Sequence, residues 1–502
     1  MTRPARLHAL ALVAAVVLTW AARAPYFGGP FSIDEYAYVT VGHDVARGQL
    51  PLSGAWLNRG PAGAVLYAIP ALLPFELDTA LDLFALAFCA ATAYLIFRLL
   101  AIHAGVTWAW FGLSWFAILS ADPAMQGNGA NMEIPINFLL ILAFVLAFGS
   151  RVPVSTARLF LAGLAIGIAV TLKETSAAFW LVLLVARHPR ERPREALRGA
   201  LASLAGIVVP SLLIWSVYVA AGQLELLAAV SSFHAGYVSL KLKDLPAALL
   251  LLLTTRGFAL YVLWPFAIPA LWWLAELPWT WQFPLAVRMM VVCAAIAALA
   301  PGHSFAHYFL LFLPAFVLAT ALWLWHLRER GVDRRLVIVL AALLVTWSAA
   351  LEIRMASGRI PLEVRRLSAV ASVDANRKAL GRALAERAAP PDRLLVFGGA
   401  PAIYAHSGLR PAAPDVWGMS MGTQRANWRW SMSTWLERRT CRAIAAEPPE
   451  WVVVIDDFAG GEVDRCVAAL LHSGFAAVDL GVGPGDGSFH PATVYRRTPP
   501  AV

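Results

Sequence analysis

The sequence predicts a mainly α-helical protein: a polytopic transmembrane bundle of about eleven spans with a small C-terminal extracytoplasmic α/β domain. Three observations point there. Hydrophobic residues make up 60% of the 502 and charged residues only 14%, against roughly 25% charged in soluble domains. Much of the net charge of +9 is Arg in short loops between apolar stretches, which signals membrane orientation and argues against a nucleic-acid partner. From about residue 357 charge becomes frequent and apolar runs shorten to strand length.

Residues 7–22 are uncharged and, with their flanks, long enough to cross ~30 Å of hydrocarbon as a helix. Arg3 and Arg6 place the N-terminal tail in the cytoplasm. The segment is expected to stay as an anchor, because many further apolar segments follow. On the far side comes Pro30-Phe-Ser-Ile-Asp34-Glu35-Tyr36-Ala-Tyr38, where Ser32 can cap a short helix from Asp34 to Arg47. Gly48, Pro51, Ser53 and Gly54 break it. Asn58-Arg59-Gly60-Pro61-Ala-Gly63 then opens an apolar run to Leu73, too short to span and expected to lie at the interface.

Further spans are predicted at about 79–100, 106–121, 134–150, 157–172, 175–187, 200–221, 256–275, 286–300, 303–326 and 336–352. Under this count the loops with Arg98 and His103, with Arg151 and Arg158, from Arg187 to Arg198, and with Arg328, Arg330, Arg334 and Arg335 all share the cytoplasmic side of the inner (plasma) membrane. Residues 1–355 therefore form the membrane domain, with external loops at 24–78 and 122–133. Residues 356–502 form the external domain. There Arg393-Leu-Leu-Val-Phe397 and Trp451-Val-Val-Val-Ile455 read as strands and Val463 to Ser473 as a helix, a βα pattern. Gly398-Gly399 and the glycines from Gly481 to Gly487 are turns, since they fit neither the dinucleotide nor the P-loop spacing. A disulfide between Cys441 and Cys466 is permitted on that side. Cys89 and Cys293, inside apolar segments, read as small buried hydrophobes.

Carboxylates beside a bilayer are costly unless solvated, paired or bound to a cation, so Asp34 and Glu35 are functional candidates, with a solvated loop or a helix cap as the bland alternative. The loop from Asp122 through Gln126, Asn128 and Asn131 leads into Glu133 on the same face. Two acids on separate loops, Asp34 and Glu133, can share a base role or hold a divalent cation through oxygen ligands. The alternative for Glu133 is again a cap. Lys173 either neutralises its neighbour Glu174 or meets an anionic headgroup. Arg59, Arg256, His303, His307 and Tyr308 also fall at external ends of spans. Each alone reads as an interface anchor. Together they give one face with acids able to act as bases and cations able to hold phosphate.

These motifs resemble those of the GT-C superfamily of membrane glycosyltransferases, close to the protein mannosyltransferase and aminoarabinose transferase families. Asp34-Glu35-Tyr36-Ala resembles the first-loop Asp-Glu motif, and Asn58-Arg59-Gly60-Pro61 the following basic-Pro segment, with Arg59 in place of Lys. Glu133-Ile-Pro135 resembles the second-loop acidic motif, Gly163 to Gly167 through Lys173 a Gly-rich span ending in Lys, and His307-Tyr308 through Pro314 a late-span His-Tyr pattern. The resemblance implies a polyprenyl-phosphate sugar donor, an acceptor that is a glycan, lipid or protein, and a one-step inverting displacement. Asp34 is then the base, and Glu35 and Glu133 orient the acceptor or a cation. Arg59 and Lys173 stabilise the departing phosphate, and Tyr36, Arg256, His303, His307 and Tyr308 contact substrate. A transporter or flippase of a lipid-linked saccharide is the rival, though the chain shows neither a duplicated half nor paired broken helices.

Overall fold

Charge-poor sequence folds into helix after helix in the computed structural model, which describes residues 3–150, 154–186, 193–241, 282–300, 305–357, 361–422, 433–482 and 492–498. The expected span at 256–275, Arg256, His303, residues 187–192 of the Arg187 to Arg198 loop and the glycines beyond 482 lie outside the described residues. Chain contacts divide the protein into two compact units. One comprises Met1–Phe27, Asp82–Val217 and Leu240–Glu363; the other comprises Gly28–Leu81, Tyr218–Ser239 and Val364–Val502.

Among the described residues six segments are long and apolar enough to cross a membrane: Ala5–Tyr26, Leu77–His103, Pro193–Ala220, Gln282–Leu299, His307–Glu329 and Arg334–Ala356. Val106–Leu119, Glu133–Phe148 and Thr156–Leu172 match three further expected spans but are only 14, 16 and 17 residues long. At 1.5 Å per residue they reach roughly 21–26 Å, somewhat short of the hydrocarbon thickness. Two expected spans are not uniform α-helices. The one at 175–187 is a 3-10 segment, Glu174–Phe179, followed by the five-residue helix Trp180–Leu184. The one at 303–326 enters through a 3-10 segment, Ala306–Phe312, before the α-helix Leu313–Glu329. Irregular backbone of this kind in a membrane protein marks places where polar groups are handled internally.

In the first unit, helix Thr156–Leu172 packs against Pro193–Ala220 at near-backbone distance. A Cβ added at Gly163 would meet Ser203 O at 2.0 Å, and one at Gly167 would meet Ile207 O at 2.5 Å. Small residues at this spacing allow such close approach between membrane helices. The two glycines thereby fix the helix that ends at Lys173.

The second unit contains a five-stranded sheet, β1 (Arg393–Phe397), β2 (Arg410–Pro411), β3 (Trp451–Val454), β4 (Phe475–Ala477) and β5 (Thr493–Arg497), in the order β2-β1-β3-β5-β4. β1 pairs parallel with β2 and β3, whereas β5 runs antiparallel to β3 and β4. Leu395, Phe397, Val452, Val463 and Val467 form its core, where helix Glu462–His472 covers the sheet. Both strand-like runs and this helix appear where the sequence predicts them. Cys441 and Cys466 are joined, with Cα atoms 5.8 Å apart, tying helix Ser433–Ala446 to Glu462–His472. Helices Ile33–Ala46 and Pro61–Leu72 pack together. The sequence reading misses helices Leu224–Lys241, Pro361–Arg387, Pro401–Ser407 and Ser433–Ala446; Pro361–Arg387 is too charged to register as a span.

Candidate functional site

The candidate residues fall in both units. In the second, Asp34 and Glu35 occupy the first turn of helix Ile33–Ala46, and the two adjacent acids divide their roles. Glu35 is 1% exposed, and its carboxylate accepts the backbone N–H of Ser32, completing a capping box and satisfying a donor that the helix start leaves open. Asp34, half-buried, has no hydrogen-bond or ion-pair partner among the described residues. Tyr36 is buried, and its hydroxyl points to Asp374 Oδ2 at 3.4 Å and Asp78 Oδ1 at 3.5 Å. Burial, and then these two carboxylates, push its phenol well above the usual range, so it stays protonated.

Arg59, half-buried, stands in the turn before Pro61–Leu72. That turn is held from several directions. Trp56 N donates to Pro414 O at 2.8 Å, Ala55 N to Asp44 Oδ2 at 3.2 Å, and His234 Nε2 lies 2.7 Å from Asn58 O. Burial raises the pKa of the Asp44 carboxyl, opposed by its bond from Ala55 and by Arg47.

In the first unit, Glu133 opens helix Glu133–Phe148 but does not act as its cap residue, a position held by Met132. Its Oε1 accepts from Lys173 Nζ at 2.7 Å, and each side chain is at most 3% exposed. Lys173 lies at the end of Thr156–Leu172, where the backbone turns extended at φ −152°. The turn carries its side chain to Glu133, 40 residues away in sequence. The ring of Tyr308, on the 3-10 segment, covers the ammonium at 3.4 Å from the centroid, adding cation–π stabilisation. His307 packs edge-on to Tyr308 with centroids 4.8 Å apart, and its Nδ1 lies 2.9 Å from Gln126 Oε1. The structure thus gathers Glu133, Lys173, His307 and Tyr308.

Gln126 itself adopts φ +56°, an uncommon backbone for a residue other than glycine. Its carbonyl accepts from Asn131 Nδ2 at 2.8 Å. The sequence reading misses Arg23, which is fully buried and donates to Gly127 O at 2.6 Å, Asn128 O at 3.0 Å and Gly129 O. Its one visible signal is a lone cation directly after an uncharged apolar run. By gathering these carbonyls Arg23 shapes the loop that presents Gln126 to His307.

Among the described residues no group of three or more His, Cys, Asp or Glu is placed to hold a metal ion. Glu133 Oε1 is bonded to the Lys173 ammonium, and the two acids expected to share a cation, Asp34 and Glu133, fall in different units.

Residues 56–302 match the family model of Glycosyltransferase family 87, slightly under half of the chain. That is neither of the two families its motifs most resemble. The fold is similar to that of ArnT from Cupriavidus metallidurans in the apo state, at TM-score 0.59 and 13% identity over 98% of both chains. It is also similar to ArnT from the same organism bound to undecaprenyl phosphate, at TM-score 0.56 and 12% identity over 97% of both chains. No curated protein matches the sequence.

Proposed function

We propose that this chain, a membrane glycosyltransferase of the GT-C superfamily, moves a sugar from a polyprenyl-phosphate donor to an extracytoplasmic acceptor hydroxyl with inversion. The observation that carries the reading is the division of roles at the opening of helix Ile33–Ala46: Glu35 is consumed by the cap and Asp34 is left as a half-buried carboxylate able to take a proton. The acceptor oxygen forms the new bond to the anomeric carbon from the face opposite the phosphate. Its proton passes to Asp34, and the bond between the anomeric carbon and the phosphate oxygen breaks with its electron pair going to the leaving lipid phosphate. Arg59, in the same unit as Asp34, answers the charge that develops there, and Lys173 is a separate candidate for a phosphate contact in the first unit. Glu133 and Tyr308 hold the Lys173 ammonium, so Glu133 acts through that lysine and His307 lines the same cluster. The undecaprenyl phosphate bound to ArnT, a protein of the same fold, supports a polyprenyl-phosphate donor.

The proposed orientation has the N-terminus in the cytoplasm and the sheet outside, supported by the Arg-rich loops and by the Cys441–Cys466 bridge, a linkage of oxidising compartments. Both free thiols, Cys89 and Cys293, are buried, so introduced cysteines report cleanly. Asp457→Cys, at an exposed position, is expected to react with an impermeant thiol reagent in sealed cells, and Arg330→Cys only after permeabilisation. The reverse pattern would refute the orientation. The function itself is tested by transfer of labelled sugar from a polyprenyl-phosphate donor by purified protein. Lipid translocation without transfer to any acceptor would favour a flippase.

A further inference from the structure

We propose that Lys378, on helix Pro361–Arg387, is a positioning residue for Asp34. Its Nζ donates to Gly28 O at 2.8 Å, Asp374 Oδ2 at 2.7 Å and Asp78 Oδ2 at 2.9 Å, which uses all three donors of an ammonium. Gly28 lies six residues before Asp34 in the chain. Two residues after Asp34, the Tyr36 hydroxyl meets the same Asp374 and Asp78 carboxylates. One buried ammonium therefore anchors the segment Gly28 to Tyr36 at both ends, with Asp34 between the anchors and outside the network.

The surroundings fit an anchor. The rings of Phe31 and Tyr36 flank Nζ at 5.7 and 5.9 Å, and His406 contacts the far side of the cluster, with Nε2 3.3 Å from Asp78 Oδ1 and its ring 5.5 Å from that of Tyr36. Lys378 and Asp374 are each 7% exposed. Burial works against the Lys378 charge, but the hydrogen bonds to Asp374 and Asp78 outweigh it and keep the ammonium protonated. Changing Lys378 thus alters where the Asp34 carboxylate stands without removing a group that Asp34 itself touches.

The inference rests on the reading of Asp34 as base, and a double-mutant cycle separates the two. In the full-length purified enzyme, Lys378→Met is expected to lower kcat by about 10-fold or more, because small misplacements of a reacting group are costly, while KM for the polyprenyl-phosphate donor changes less than about 2-fold. Lys378→Arg keeps the charge but not the compact three-way geometry, and is expected to recover part of the loss. In the Asp34→Asn background Lys378→Met should cost nothing further, since the group it positions is gone. Equal losses in both backgrounds, or an unchanged kcat, would overturn the proposal. Near-normal turnover by Asp34→Asn alone would instead remove its premise. Asp374→Asn, which keeps volume and leaves Lys378 one carboxylate partner, carries the same cycle if Lys378→Met does not fold.

Discussion

Asp34→Asn is expected to lower turnover by about 10²-fold or more, the usual cost of losing general-base catalysis. Asparagine keeps the size and hydrogen-bonding reach of the side chain at the helix start but removes the proton acceptor. Because Asp34 takes no part in the capping box and has no partner among the described residues, the substitution should leave the fold untouched. Donor affinity should change little. Glu35→Gln is the control from the neighbouring position. The glutamine side chain still accepts the Ser32 N–H but loses the charge that favours the helix start, at a cost of about 0.3–1 kcal/mol, and the change should show mainly as a lower Tm. Initial rates of sugar transfer and thermal denaturation in detergent read the two effects separately; a larger rate loss from Glu35→Gln than from Asp34→Asn would reverse the assignment.

Lys173→Met is expected to destabilise the protein severely, because it leaves Glu133 buried without its cation. Removing one partner of a buried pair typically costs about 3–5 kcal/mol. The pair is 2.7 Å apart and almost completely buried, so solvent screening offers little relief. Glu133→Leu combined with Lys173→Met takes out both charges and is expected to restore much of the Tm, since apolar replacement of a buried pair is often neutral or stabilising. Sugar transfer should remain lost in the double variant, because the proposed phosphate contact of Lys173 would be missing in ground and transition states alike. Normal transfer by a folded double variant would remove Lys173 from the donor site.

The membrane helices were legible because a span must exclude charge, which leaves a mark on any window of sequence. The two 3-10 segments were not, because hydropathy is the same whether backbone bonds run to the third or the fourth residue. Each of them holds or follows a candidate site residue: Glu174–Phe179 begins directly after Lys173, and Ala306–Phe312 carries His307 and Tyr308. Lys173 was readable as a cation out of place, with Glu174 or an anionic headgroup as its partner. The extended backbone at Lys173 directs the side chain to Glu133 instead. The Asp34-Glu35 pair was visible as a motif, yet spacing alone could not tell which acid caps and which is left over. Lys378 and Asp374 gave no signal: an i, i+4 charge pair on a polar helix resembles an ordinary solvated face, and only the fold buries it.

Gly28–Leu81 and Val364–Val502 belong to one compact unit although 283 positions separate Leu81 from Val364 (364 − 81). During synthesis at about 5–20 residues per second, the early segment waits roughly 15–60 s for its partner to leave the ribosome. Through that interval Asp78 has no Lys378 to neutralise it and Tyr36 has no Asp374. The proposed base therefore gains its support only after the chain has been made beyond Lys378, about three quarters of the 502 residues.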